Sequence, residues 1–231
     1  MTGNPLDRPV WASLTTFHET LSQGDGAARR YLADINLFAS TRRDDTGDLA
    51  ALEQLVGPGD VIYILQVPRI SVPPGLVVEH SAVGVQMVAS RPIGDDDEHR
   101  DVAALGDEDA AEMHALATLT KPGPFLSRTN AMGEFVGIKI EGRLVAMAGE
   151  RMRFPGFTEV SGVCVHPDFR GLGFARRLSK FVAAKIEARG DKPFLHAWKS
   201  NTAAISLYQS LGFRHRADVN VAVLTKHVAR R

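Results

Sequence analysis

Val163-Cys164-Val165-His166-Pro167-Asp168-Phe169-Arg170-Gly171-Leu172-Gly173-Phe174-Ala175-Arg176-Arg177-Leu178 is the stretch whose reading decides the fold. An apolar run ends at a proline, an arginine and two glycines follow, and apolar residues then recur at helical spacing. That order predicts a strand, a tight turn and a helix N-terminus, with almost no side chain at the turn. The first N–H groups of a helix have no partner within it and carry the positive end of its dipole. Such a turn is suited to holding a phosphate.

Three phosphate loops compete for this stretch. A nucleotide P-loop needs Gly-x-x-x-x-Gly-Lys-Ser/Thr, and no lysine follows these glycines at the required place. A dinucleotide fingerprint needs a third glycine where Arg176 stands, and an arginine is too large for close helix–strand packing. The third pattern, Arg-x-x-Gly-x-Gly/Ala, is met by Arg170, Gly173 and Ala175. It resembles the pyrophosphate-binding motif of the GNAT superfamily of acetyl-coenzyme A-dependent N-acyltransferases, and the lead-in Val163-x-Val165-x-Pro167 strengthens the match.

A second block lies downstream, from Leu195-His196-Ala197-Trp198 through Asn201-Thr202-Ala203-Ala204 and Leu207-Tyr208 to Gly212-Phe213. It is similar to the second block of that family: a strand, Asn-x-x-Ala-x-x-Leu-Tyr, then Gly-Phe. It also makes physical sense by itself. Asn201 can cap a helix, Ala204, Leu207, Tyr208 and Leu211 recur at three- and four-residue steps, and Gly212 supplies a left-handed stop. The resemblance covers residues 102–231 and implies the family's fold, an α+β mixed sheet with helices on both faces.

The remaining composition sets bounds. With 231 residues, 44% of them hydrophobic, the chain can build one large domain or two small ones. No apolar run approaches the roughly 20 residues of a membrane span. The start, Met1-Thr2-Gly3-Asn4-Pro5, shows no secretion signal, so a cytoplasmic location is expected. One cysteine excludes an internal disulfide and a multi-cysteine zinc site, and no metal is expected. Residues 1–100 carry eight basic and fourteen acidic side chains, a formal −6, whereas the remainder carries nineteen and thirteen, a formal +6. A basic C-terminal half suits a cofactor with several phosphates, though complementary charge between two docked halves gives the same asymmetry. No basic stripe with interleaved aromatics points to nucleic acid.

The acidic run Asp95-Asp96-Asp97-Glu98 reads as a surface linker, dividing an α+β segment at 1–98 from an acyltransferase segment at 102–231. Length and layout liken the first segment to a degenerate acyltransferase half, as in the glycine N-acyltransferase-like branch. Within it, Trp11, Leu14, Phe17 and Leu21 predict one helix and Leu49, Leu52, Leu55 and Val56 another. Strands are expected at 61–67 and 76–89. The second segment reads as a helix from Asp107 to about Leu119, a loop at 121–129, and a hairpin of 135–140 with 144–153. Strand 157–165 then leads through the phosphate loop to its helix, followed by strand 194–198, a helix and a closing strand at 214–224.

The resemblance implies acetyl-CoA as co-substrate and a primary amine of a small molecule or peptide as acceptor, joined in a ternary complex; no membrane partner is expected, and a homodimer is allowed. It places the thioester in a V-shaped opening between strands 163–165 and 194–198. The backbone of Val163 and Val165 would pair with the pantetheine arm, and Arg170, Gly171, Leu172, Gly173, Phe174 and Ala175 would hold the pyrophosphate. Arg176, Arg177 and Lys180 read as a solvated helix face, from which Arg176 could reach a CoA phosphate. Asn201 would touch the pantetheine or only cap its helix. Tyr208 stands where the family places the acid that protonates the leaving thiolate; its spacing alone would also suit a core tyrosine. For the base, Glu159 and Glu150 match two positions that family members use, and the third alternative is no protein base at all. Cys164, between two valines, reads as packing rather than a nucleophile. His166 and His196 read as loop and strand residues rather than zinc ligands. Two rivals remain: a non-catalytic acyl-CoA sensor, and an N-terminal interaction domain on an acyltransferase scaffold.

Overall fold

The computed structural model describes residues 3–94 and 101–226. The acidic run at 95–98 lies outside these residues. In chain order, the first part holds helix α1 (Pro9–Leu14), strands β1 (Ser22–Gly24), β2 (Ala28–Tyr31) and β3 (Ala39–Thr41), helix α2 (Thr46–Leu55), and strands β4 (Val61–Gln66) and β5 (Leu76–Ala89). Then come β6 (Val102–Leu105), α3 (Ala110–Thr120), β7 (Phe135–Ile140), β8 (Arg143–Phe154), β9 (Phe157–Val165), α4 (Phe174–Ala188), β10 (Lys192–Trp198), α5 (Thr202–Leu211) and β11 (Phe213–Lys226).

Most boundaries follow from local chemistry. Asp45 caps α2 through Asp48 N, and Asn201 caps α5 through Ala204 N at 3.1 Å. Gly212, at φ 105°, ends α5 in the left-handed region. The β7–β8 hairpin turns on Glu141 and Gly142, both at positive φ, as a two-residue primed turn requires. The first helix is shorter than its apolar spacing predicts: it stops at Leu14, and Phe17 is exposed. The Thr15 and Thr16 hydroxyls bond back to Trp11 O and Ala12 O, competing with the backbone ladder just where β-branched residues already disfavour helix.

One mixed sheet runs β4-β11-β5-β10-β9-β8-β7-β6, and β1-β2-β3 form a separate small one. The last strand lies inside the sheet: β11 lies between β4 and β5, and β5 lies between β11 and β10. Residues on both sides of position 98 therefore share one sheet, with β5 paired to β11 along its full length and to β10 from Gly84 to Val88.

The sheet is covered on both faces. On one, α4 and α5 pack Leu178, Val182, Ile186, Tyr208 and Leu211 against Val160, Leu195 and Phe213. The opposite face carries α1 and its surroundings, with Val10, Leu14, Tyr31 and Phe38 against Leu65, Phe154, Phe194 and Val221. Helix α3 packs beside them, with Met113 and Leu116 near Met147 and Cys164.

Candidate active site

The sheet is split at its centre. Parallel strands β9 and β10 are paired only where Phe157, Thr158 and Glu159 meet Lys192, Pro193 and Phe194. Past Glu159 and Phe194 the two strands part, leaving a cleft of about 680 Å³ between them. It runs from the phosphate loop and α5 on one face to Phe38, Tyr63 and Leu65 on the other. The open edge of β9 is bent by a bulge: Ser161 faces Gly149 and Cys164 faces Met147, so Gly162 and Val163 together oppose one residue. Gly162 sits at φ 63°, and a Cβ there would also stand 2.9 Å from the Phe135 ring.

At the mouth, Arg170, Gly171, Gly173, Phe174, Ala175 and Arg176 line the cleft, as do Val163, Val165, Asn201 and Tyr208. Of the expected cofactor-contact residues, Leu172 is absent from this lining and points outward, 61% exposed. Gly171 and Gly173 have φ of 81° and 80°, and a Cβ on either would enter open space. The fifteen-residue helix α4 begins at Gly173 without a side-chain cap, so its first N–H groups face that space. An open, glycine-walled helix N-terminus is the cradle that a pyrophosphate fits.

The two carboxylates expected as bases part company. Glu150 and Arg151 are neighbours on β8 and so point to opposite faces. Glu150 binds Arg189 at the end of α4 at 2.6 Å and does not line the cleft. Burial raises its pKa, against the pull of Arg189. Glu159 is fully buried beside the cleft and is held by two side chains. Arg151 Nε donates to Oε2 at 2.8 Å and Nη2 to Oε1 at 2.6 Å, while His196 Nδ1 lies 2.8 Å from Oε1. Burial alone would push this carboxyl up, but the Arg151 charge and hydrogen bonds, followed by His196, hold it down at about 2. A carboxylate so bound is a poor proton acceptor at neutral pH.

His196 enters the site through strand alternation: on β10 it shares a face with Phe194, whereas Leu195 packs toward α4. That period was legible in the sequence; its partners were not. Gln86 Nε2 donates to Leu6 O at 2.9 Å and lies 3.0 Å from His196 Nε2, and Gln86 Oε1 accepts from Arg216 Nη1 at 2.9 Å. These partners orient the amide, so His196 Nε2 accepts and Nδ1 carries the proton toward Glu159, a tautomer inferred from the network. Both ring nitrogens are committed. His166 sits outside this network, with Nε2 2.6 Å from Arg143 Nη2.

Tyr208 is 8% exposed, and burial, then the nearby Cys164 and Glu159, push its phenol up to about 12. Cys164, also raised to about 12 by burial, is held in the unreactive thiol form. Among the described residues, no group of three or more His, Cys, Asp and Glu side chains could hold a metal, and no helix is long and apolar enough to cross a membrane.

Comparison with known proteins meets this geometry directly. The FR47-like protein family model matches residues 135–223, which span the bulged strand, the phosphate loop and α5. The chain is 42% identical to a crystallised protein of Novosphingobium aromaticivorans assigned to the GNAT family of acetyltransferases, over 98% of this chain and 100% of that one, with a TM-score of 0.91. The chain belongs to the GNAT family. The GNAT fold is likewise shared with a GCN5-related N-acetyltransferase from Kribbella flavida, at 16% identity, a TM-score of 0.65 and 99% of this chain covered. Two curated relatives match over shorter stretches. Mycothiol acetyltransferase of Thermobispora bispora is 44% identical over 63 residues, and N-alpha-acetyltransferase RimI of Mycobacterium tuberculosis is 39% identical over 83. The matches cover 26% and 35% of this chain, and the chain spans only 21% and 51% of those proteins.

Proposed function

We propose that this GNAT chain is a cytoplasmic N-acetyltransferase that moves an acetyl group from acetyl-CoA to a primary amine by direct attack in a ternary complex. The observation that carries the reading is the split between β9 and β10, which joins an uncapped helix N-terminus on one face of the sheet to a separate apolar arm on the other. A phosphate-bearing donor and an acceptor can so meet from opposite sides. A sensor of acyl-CoA would need only the first half of that passage.

Bound acetyl-CoA supplies an activated acyl carbonyl and a thiolate leaving group. The first N–H groups of α4, with Arg170, would hold its pyrophosphate, and the free edge of β9 at Val163 and Val165 would align its arm. Tyr208 keeps its proton at neutral pH. With its phenol near 12, it is a weaker acid than an alkyl thiol of about 8.5, so its role is to donate a hydrogen bond to the departing sulfur rather than to lose its proton outright. Glu159 positions His196 and Arg151 along the wall of the cleft. With Glu150 turned away and both His196 nitrogens bonded, we assign no protein base: the acceptor enters as the free amine, and the proton its nitrogen loses on forming the amide ends on the departing thiolate, so that coenzyme A leaves as the thiol. Residues 1–98 and 102–231 act as one unit, because Phe38, Tyr63 and Leu65 complete the cleft.

Calorimetric titration with acetyl-CoA tests the reading. Saturable binding that is lost in Gly173→Glu is expected, because the new side chain would fill the cradle. No binding to the unaltered protein, or equal binding to both, would refute it.

A further inference from the structure

The acceptor arm has a chemistry of its own. On the face away from α4, the cleft is walled by Phe38, Tyr63, Leu65, Val219 and Val221. The rings of Phe38 and Tyr63 meet edge to face, 6.0 Å apart and 82° inclined. The charged group on this wall is Arg151, whose guanidinium lies 4.9 Å over the Phe38 ring. Among the described residues lining the cleft there is no aspartate or glutamate, and Glu159, which adjoins this wall through Arg151, is fully buried and paired to it.

Resting on the acetyltransferase reading above, we propose that the acceptor is a single primary amine carried on an apolar, ring-sized body with no second positive charge. Three physical reasons converge. The apolar wall rewards burial of hydrocarbon or an aromatic ring. A second ammonium would be stripped of water in an arm whose adjoining carboxylate, Glu159, is already spent on Arg151. The reacting nitrogen must arrive uncharged, and an apolar arm that supplies no counter-ion favours that form over the ammonium. Polyamines, lysine-rich tails and other multiply charged amines are thereby rejected at the arm itself. A free aryl-alkyl amine and the amino end of a peptide with an aromatic first residue share this chemistry.

The experiment follows thiol release from acetyl-CoA with 2-phenylethylamine, a phenylalanine-initiated tripeptide, 1,4-diaminobutane and spermidine. Acetyl-CoA binding is measured separately on the same protein. We expect kcat/KM for one of the two aromatic amines to exceed that for the diamine and spermidine by about 100-fold or more, the scale set by a desolvated charge without a counter-ion. Whichever aromatic amine leads decides between a free small molecule and a peptide terminus. A carboxylate placed in the arm by Tyr63→Glu should narrow the preference over the diamine by about 10-fold or more. Preference for diamine or spermidine overturns the inference. So does failure of both aromatic amines in a protein that binds acetyl-CoA; absence of acetyl-CoA binding instead overturns the function on which it rests. Should the Tyr63 variant not fold, the panel on the unaltered protein decides alone.

Discussion

Replacing Glu159 by glutamine separates two roles that its position allows. As a general base, its loss would abolish turnover while leaving the fold nearly untouched. The geometry predicts the reverse emphasis. Glu159 has no exposed surface, and it neutralises an Arg151 side chain that is itself only 11% exposed. Glutamine keeps the shape and one acceptor but leaves a guanidinium in the interior without its counter-charge. Breaking such a pair on one side costs about 3–5 kcal/mol, and the retained carbonyl argues for the lower end, about 3 kcal/mol. In a domain of this size each kcal/mol moves Tm by roughly 2–4 °C, so Glu159→Gln should melt about 6–12 °C lower. Differential scanning calorimetry at pH 7 measures it directly. A pH series adds a second readout. The folded pKa of Glu159 lies below its unfolded value, so its stabilisation is present above pH ~4.5 and is lost as pH falls toward 2; the variant should lack that limb. A second change, Arg151→Met, made in the Glu159→Gln background, removes the orphaned charge and should recover part of the loss. A Tm within about 2 °C of the parent, together with abolished turnover, would refute this reasoning and restore the base role.

Tyr208→Phe should lower kcat about 100-fold while changing acetyl-CoA affinity less than threefold, as steady-state kinetics and calorimetry would show, because in the proposed reaction the phenol donates its hydrogen bond to the departing sulfur. The fragment 102–231 should fail to fold on its own: without β5, strands β10 and β11 lose the neighbour that joins them, and circular dichroism with a cooperative melt for the fragment would contradict this. His18 is buried among Ser13 and Tyr31, and burial lowers its pKa to about 4. Its folded value is below the unfolded 6.5, so the stability it contributes is full above pH ~6.5 and falls, by up to about 3 kcal/mol, as pH drops toward 4. His18→Asn should flatten that part of a Tm–pH curve, and an unchanged slope would count against it.

What the amino-acid order determined by itself is what short-range chemistry encodes. The phosphate loop is legible because Gly171 and Gly173 must adopt positive φ and α4 must start without a capping side chain. Asn201 and Gly212 mark both ends of α5 in the same way, and alternation places His196 beside Phe194. Each depends on residues only a few positions apart. Tertiary structure alone decided the rest. Strand β5 has the same apolar pattern whether it pairs within the first hundred residues or slots between β10 and β11, because side-chain alternation names a buried face but no partner strand. The fates of Glu150 and Glu159 likewise rest on what lies across the strands: Arg189 on one face, Arg151 and His196 on the other. A glutamate's chemistry is set by the charge and burial around it, and those neighbours come from α4, β8 and β10, which only the folded sheet brings together.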